Sequence, residues 1–359
     1  MKRLIIMASG LLSLLAAIGL FICGEKMVGK LPEQQMASRW SDEKDVSQIS
    51  CFFAVGENIT TLQIEDFQHA LDTALVEASI TTDSPNASAR LWADAYSAWG
   101  EVSITHENKS VTVDALGVGG DFFLFHPLNM LSGSYFSKEN LNSDCILIDE
   151  DTAWQLFGSN DIAGQIVTIG GIPHVISGVV DREDADMYEK AGLENSLAYL
   201  SFDSLNSYGT HNGISHYEIV MPNPVSKYAY SYVKDHINVK EDDMEIVENT
   251  TRYSFLNKLL RIKEFGTRSM NRKAVIYPYW ENVARGYEDI LGVMFPFMIL
   301  FFLYPMVLII VWLWKKWKAR TWTAKDVFHK GKDLLGDKLN KSKQRRLDKK
   351  KRKKDEEDL

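Results

Sequence analysis

Two long apolar runs frame the chain. Ile290 to Trp314, ILGVMFPFMILFFLYPMVLIIVWLW, holds twenty-five residues without a charge, between Asp289 and the cluster Lys315, Lys316 and Lys318. At about 1.5 Å rise per residue, a helix of this length slightly exceeds the roughly 30 Å hydrocarbon core of a bilayer. The pattern predicts a transmembrane helix over 290–314. Pro296 and Pro305 each delete a backbone hydrogen bond, which a membrane helix tolerates where a neighbour satisfies the freed carbonyl, so a partner helix is expected. Trp312, Trp314, Trp317 and Trp322 gather at the charged end, where amphipathic rings settle at headgroups. The other run, Leu4 to Cys23, follows Lys2 and Arg3 and is twenty residues long. A cleaved signal has an apolar region of about 7 to 15 residues and a small-x-small exit. This run ends Leu20-Phe21-Ile22-Cys23-Gly24, which favours a retained helix over 1–23, and bulky Ile22 argues against a lipid-modified Cys23.

Between the runs the periods shorten. Gly24 to Asp45 is polar and predicts a helical or extended lead, and Ile49 to Val55, ISCFFAV, predicts a buried strand. Thr61 is placed to cap a helix whose Ile64, Phe67, Leu71, Ala74, Leu75 and Ala78 share one face. Glu101 to His106 and Ser110 to Leu116 flank Glu107-Asn108-Lys109 as a hairpin. Asp121 to Phe136 is rich in aromatics but broken by Pro127 and Gly133, and predicts a packed, irregular link. Cys145 to Ile148 reads as a short strand, followed by a helix from Glu150 to Phe157 that Gly158 ends in left-handed geometry. Ile166 to Ile169 and His174 to Val180 form a second hairpin. Beyond an acidic loop at Asp181, Glu183, Asp184 and Asp186, a strand is expected over His216 to Met221, then helices over Val225 to Ile237 and Tyr253 to Phe265. Pro278 opens a last helix that runs into the apolar span without a break signal. Irregular alternation with hairpins indicates an α+β domain.

Charge sets the expected topology. The segment 315–359 carries 18 Lys and Arg against 8 Asp and Glu, and Lys2 and Arg3 add to the basic termini. The 266 residues from Gly24 to Asp289 are left with 20 basic and 40 acidic side chains, so an overall charge of −8 conceals a divided molecule. Because basic flanks stay in the cytoplasm, both termini are expected inside and 24–289 outside. Cys51 and Cys145 are the two cysteines of this exterior segment, and whether they pair is open on the sequence. Within this segment four Asn-x-Ser/Thr triplets begin at Asn58, Asn86, Asn108 and Asn249, and matter only where the host glycosylates them.

Candidate chemistry is sparse. The chain has no phosphate-binding Gly-x-x-x-x-Gly-Lys-Ser/Thr, no Gly-x-Gly-x-x-Gly after a strand, no Gly-x-Ser-x-Gly and no His-Glu-x-x-His. No catalytic, cofactor-binding or metal residue is expected, and the chain is read as no enzyme. His211 and His216, with Asp203 and Glu218 nearby, fit no standard ligand spacing, and the two histidines read as ordinary surface residues. The loop Asp181 to Asp186 lacks the alternation of a calcium loop and reads as a solvated face. Lys341 to Lys354 contains 10 Lys or Arg and reads either as a solvated basic extension that fixes topology or as a contact for anionic lipid; nucleic acid fits less well, since no folded basic module accompanies it.

Several short motifs, in one order, resemble the extracytoplasmic core domain of MacB-type ABC transporter permeases. They are Arg39-Trp40-Ser41, Ile49 to Phe53, Asp121-Phe122-Phe123, Pro127-Leu128, and Leu131-Ser132-Gly133-Ser134-Tyr135-Phe136. Then come Ile146-Leu147-Ile148-Asp149-Glu150, Ala153, Leu156-Phe157-Gly158, Asp161-Ile162-Ala163-Gly164-Gln165 and Ile176-Ser177-Gly178-Val179-Val180. The resemblance covers about Arg39 to Asp181. It implies a two-lobed domain between two membrane helices, driven by a separate cytoplasmic ATP-binding subunit, and brings no catalytic residues with it. Family permeases continue into two further membrane helices, whereas this chain carries the basic segment 315–359 after its second span. A second, helix-supplying permease subunit is therefore expected, with Lys315 to Gly336 as the candidate contact for the ATPase. The alternative is a membrane-anchored binding, sensing or scaffold domain without transport. Either way the chain is expected in a bacterial cell membrane with two spans.

Overall fold

The computed structural model describes residues 1–41, 45–81, 90–137, 144–182, 186–264, 271–272 and 275–319. The acidic-loop residues Glu183 and Asp184, the triplet at Asn86, the basic stretch Lys341 to Lys354 and most of Lys315 to Gly336 lie outside them.

Both apolar runs are helical. Helix α1 covers Lys2–Val28 and overruns the expected end at Cys23, because Gly24-Glu25-Lys26-Met27-Val28 contains nothing that stops a helix. The chain divides into two compact units, Ile18–Met298 and Met1–Ala17 with the segment from Ile299. In the smaller unit, Ser13 Oγ donates to the Phe301 carbonyl at 2.7 Å. That carbonyl lies four residues before Pro305, whose missing N–H leaves it without a helical donor. The expected partner helix is thus α1, and a short polar side chain supplies the missing hydrogen. Ser9 Oγ and Tyr304 Oη meet at 2.9 Å, and a Cβ on Gly10 would stand 3.1 Å from Leu308 Cδ1. Leu4, Leu12, Leu300, Phe302 and Trp312 expose their apolar side chains, as lipid-facing residues do. Leu4–Val28 and Tyr279–Lys318 are both long and apolar enough to cross a membrane.

The larger unit is built on one mixed sheet. After α2 (Met36–Trp40) comes β1 (Val46–Phe53), buried on both faces, with Ile49, Cys51 and Phe53 in one core and the buried polar side chains of Gln48 and Ser50 hydrogen-bonded on the other face. Helix α3 (Thr61–Glu77) buries Ile64, Phe67, Leu71 and Leu75, each contributing about 1.5–3 kcal/mol. Its cap is Thr60, not Thr61: Thr60 accepts from the Gln63 amide and Gln63 reaches back to the Thr60 amide, a reciprocal pair that Thr61 could not form. Strands β2 (Ala93–His106) and β3 (Lys109–Gly120) pair along their length as a hairpin longer than its alternating core suggested. The link 121–136 contains α4 (Phe122–Phe125) and β4 (Met130–Gly133). Gly133 has φ +74°, and a Cβ there would sit 2.1 Å from the Ser177 carbonyl oxygen, so the Ser-Gly-Ser motif marks a close backbone approach.

Strand β5 (Cys145–Asp149) leads into α5 (Glu150–Leu156), capped by Asp149 and followed by Gly158 at φ +74°. The second hairpin is β6 (Ile166–Ile169) and β7 (Ile172–Val180). There follow α6 (Asp186–Lys190), β8 (Leu197–Ser201), α7 (Phe202–Tyr208), β9 (Thr210–His211), β10 (His216–Pro222), α8 (Tyr228–His236) and β11 (Met244–Glu248). Helix α9 (Phe255–Arg261) leaves Phe255, Leu256 and Leu260 exposed, so its apolar spacing marks an outward face and not a core stripe. Helix α10 (Tyr279–Lys318) follows Pro278. The strands order as β11-β1-β10-β2-β3-β8-β5-β7-β4, with β6 and β9 pairing beside β2. Parallel β3–β8 and β5–β7 pairs sit within a mainly antiparallel sheet, an α+β arrangement.

Three large cores share this sheet, and a small fourth cluster joins Phe52 and Ala54 to Val275 and Tyr277. Helices α3 and α8 cover one face of β1 and β10. Helices α2, α4 and the first turns of α10 cover the opposite face. Helices α5 and α7 fill the end formed by β5 to β8. Cys51 and Cys145 form no disulfide with each other, and Cys51 is buried.

Candidate functional site

Strand periodicity places a polar cluster under the root of α10. Along β10, Tyr217, Ile219 and Met221 enter the core beneath α3, so His216 and Glu218 project from the other face. Along β1, Ile49, Cys51 and Phe53 do the same and send Ser50 and Phe52 to that second face. The antiparallel register sets Ser50 directly opposite Glu218 and Phe52 opposite His216. Ser50 Oγ consequently donates to Glu218 Oε1 at 2.5 Å, and Phe52 stacks on His216 with centroids 5.0 Å apart.

The third member comes from a distant segment. His126 follows α4, stacks on Phe122 at 4.3 Å and places Nε2 2.8 Å from Glu218 Oε2. Arg39 holds this turn in place by donating through Nη2 to the carbonyls of Leu124 and Phe125, at 2.6 and 3.1 Å, and through Nη1 to the Pro32 carbonyl. That accounts physically for Arg39 in the Arg39-Trp40-Ser41 motif. Trp280, in the first turn of α10, closes over His126 and His216 at 4.5 and 5.2 Å.

From Glu218 the polar contacts continue to α10. Asn249 Nδ2 donates to Ser50 Oγ at 2.7 Å, and Arg252 Nη1 donates to Asn249 Oδ1 at 3.2 Å. Arg252 then grips Glu281 with two hydrogen bonds of 2.7 and 2.9 Å and reaches Glu288 at 3.0 Å. Arg285 Nε donates to Glu281 at 2.7 Å and its guanidinium lies 3.7 Å over the Tyr277 ring. Arg261 approaches Glu288 at 3.3 Å. The Arg252, Glu281 and Glu288 side chains are 2% exposed or less, so an ion network free of bulk water fixes the root of α10 to the loop after β11.

Electrostatics follow from burial. Burial pushes the Glu218 carboxyl upward, but His216 and His126 outweigh it and hold the group well below the usual carboxylate range. Burial pushes the His126 imidazole down against the pull of Glu218. The geometry supports an ionised Glu218 that accepts from Ser50 and from His126 Nε2. Burial opposes the charge on Arg252, yet Glu281 and Glu288 more than offset it and raise that group further.

The four residues weighed from the sequence separate in space. His216 is buried beside Glu218 rather than on the surface as expected, because β10 is interior to the sheet. His211 stays apart on β9, accepting from the Gly213 amide and donating to Asn206 Oδ1, and Asp203 lies in the first turn of α7. His126, Arg252 and Glu281 carried no local signal: 92 residues separate His126 from Glu218, and only the sheet register brings them together. Asn249, which begins one of the four triplets named above, is buried with its amide engaged, which excludes a glycan in the folded state.

The profile of the MacB-like periplasmic core domain family matches residues 5–246. The chain belongs to this family. Among curated relatives, the macrolide export ATP-binding/permease protein MacB of Chromobacterium violaceum is 28% identical over 83 residues, 23% of this chain and 13% of that protein. The MacB of Escherichia coli K12 is 28% identical over 85 residues, again 23% and 13%. The match thus spans about one eighth of those relatives' length. Among solved structures, the extracellular domain of the noncanonic ABC-type transporter YknZ aligns over 56% of this chain and 99% of that one, at 16% identity and TM-score 0.37. The periplasmic region of MacB from Actinobacillus actinomycetemcomitans aligns over 58% and 92%, at 18% identity and TM-score 0.38. The MacB-like stretch and the two apolar helices that flank the sheet together describe a bacterial membrane protein with two candidate spans.

Proposed function

We propose that the chain is a permease-like membrane subunit of an ABC transporter or mechanotransmission complex, with residues 24–289 outside, both termini in the cytoplasm and a separate ATP-binding subunit as motor. The supporting observation is the anchoring of α10, whose first turns hold Trp280, Glu281 and Arg285 in the sheet's polar cluster while its apolar stretch has the length of a span. In this reading a tilt of the helix acts on β1, β10 and the α4 turn through Arg252, Asn249, Ser50 and Glu218. The reading makes the chain no enzyme and gives it a second permease subunit to supply further membrane helices.

The test is affinity purification of the full chain from its native membranes, with identification of stoichiometric partners and of their ATPase activity. A nucleotide-binding subunit whose ATPase rate changes when Arg252→Met is introduced supports the proposal. A purified complex without a nucleotide-binding subunit or a second permease overturns it. A membrane-anchored binding domain is the second reading. It is favoured by a cleft of about 360 Å³ lined by Phe53, Trp99, Leu116, Ile214, Tyr277 and Tyr279, an aromatic and aliphatic surface suited to an apolar ligand.

A further inference from the structure

The residues that gather beneath Trp280 have a donor set that the family reading does not use. His126 and His216 each offer an imidazole nitrogen and Glu218 a carboxylate oxygen, and the three ligand atoms lie within 4.8 Å of one another. We propose that His126, His216 and Glu218 bind one divalent transition-metal ion of the zinc class, clipping the turn after α4 to strand β10. Two imidazoles with one carboxylate are the ligand set of three-ligand zinc sites, which leave a fourth position to water. A calcium or magnesium site would call for oxygen donors throughout, and here two of three are nitrogen.

Four features beyond proximity support a metal. His216 Nε2 is fully buried with no hydrogen-bond partner, and Glu218 Oε1 stands 3.4 Å from it, so one ring nitrogen faces the carboxylate without bonding to it. The opposite nitrogen, Nδ1, faces Ser97 Oγ at 3.4 Å, and Ser50 Oγ donates to the carboxylate. Such outer partners orient metal ligands and set their basicity. Phe52, Phe122 and Trp280 wall the cluster and keep bulk water from competing. The cleft described above is lined in part by Ser97, the outer partner of His216. Cys51 projects from the other face of β1 and is no ligand. The competing occupant is a proton shared between His126 Nε2 and Glu218 Oε2, which lie 2.8 Å apart without metal.

The experiment uses the untagged full chain in detergent, since a polyhistidine tag binds zinc itself. Metal content is measured by plasma mass spectrometry before and after chelation, and thermal unfolding is followed with Zn²⁺ or Co²⁺ added back. The expected result is about one zinc per chain, a fall in Tm on chelation that Zn²⁺ reverses, and the intense visible absorption of tetrahedral Co²⁺. Ser97→Ala is expected to weaken zinc binding roughly 10- to 100-fold, as loss of an outer partner does. His216→Asn and Glu218→Gln are expected to abolish it. Where either variant fails to fold, the chelation and add-back series on the wild-type chain decides alone. Zinc below one tenth per chain after incubation with Zn²⁺, or a Zn²⁺-induced Tm shift unchanged in His216→Asn, overturns the proposal and leaves the shared proton. Either outcome is independent of whether an ATP-binding partner is found.

Discussion

Replacing Arg252 by methionine keeps much of the side chain's volume and removes the charge from the centre of the network at the root of α10. The guanidinium makes four hydrogen bonds, two to Glu281 and one each to Glu288 and Asn249. With charge centres about 4 Å apart and an effective dielectric of about 20, each carboxylate contributes roughly 4 kcal/mol of attraction. Desolvation of the buried ions offsets several kcal/mol of that sum, and deletion of one partner in a buried pair costs about 3–5 kcal/mol. Arg285 still holds Glu281 and Arg261 still approaches Glu288, so neither carboxylate is stranded and the low end, about 3 kcal/mol, is expected. Glu281→Gln strips the ion partner that Arg252 and Arg285 share and is expected to cost at least as much. Urea unfolding of the full chain in detergent, followed by tryptophan fluorescence, reads this directly because Trp280 packs against the same cluster. A loss below about 1 kcal/mol for Arg252→Met, the level of a solvent-exposed pair, would refute the claim that this network fixes the helix.

In the smaller unit, Ser13→Ala removes the donor to the Phe301 carbonyl and is expected to weaken helix association by about 0.6–1.7 kcal/mol. Adding Pro305→Ala restores a backbone N–H and should recover most of it, as a double-mutant cycle in detergent titration would show. Burial pushes the Cys51 thiol far up, so alkylation at about pH 8 with mass-spectrometric mapping should leave Cys51 unmodified until the chain unfolds. Burial, with Asp203, Asp94 and Glu65, raises Tyr96 from 10.0 to about 12. A folded-state value above the unfolded one favours the protonated form, so this stabilisation is complete below pH 10 and disappears as pH rises toward 12. Tyrosinate absorbance recorded with circular dichroism should show Tyr96 ionising only as the domain unfolds, and an early titration lost in Tyr96→Phe would contradict it.

Much of the architecture was legible along the chain because it depends on local periodicity. The uncharged run 290–314, the stripe from Ile64 to Leu75, the hairpin around Glu107-Asn108 and the left-handed stop at Gly158 each declare themselves within a few turns. Pro305 even announced the need for an outside donor, although only the folded pair of helices named Ser13. The motif order from Arg39 to Val180 carried the family, and the sheet accounts for part of it: Arg39 braces the turn of His126, and Gly133 lets β4 approach Ser177.

The polar cluster was not legible, and the reason is sequence separation. His126, Glu218, Ser50, Asn249, Arg252 and Glu281 lie on segments up to about 230 residues apart, and nothing in their immediate surroundings marks them. His216, two residues before Glu218, reads as an ordinary surface histidine because its five-residue spacing from His211 in a Gly-containing loop fits no ligand pattern, and nothing local shows that its face of β10 is covered. Tertiary structure covers that face with α4 and α10 and turns those same residues inward. Sequence alone determined two apolar helices, an acidic α+β segment between them and the absence of nucleotide-binding motifs, all properties that need no long-range contact. Strand register and the docking of α10 decided which charges meet, because a buried ion is stable only beside its partner, and only a closed fold brings that partner within 3 Å.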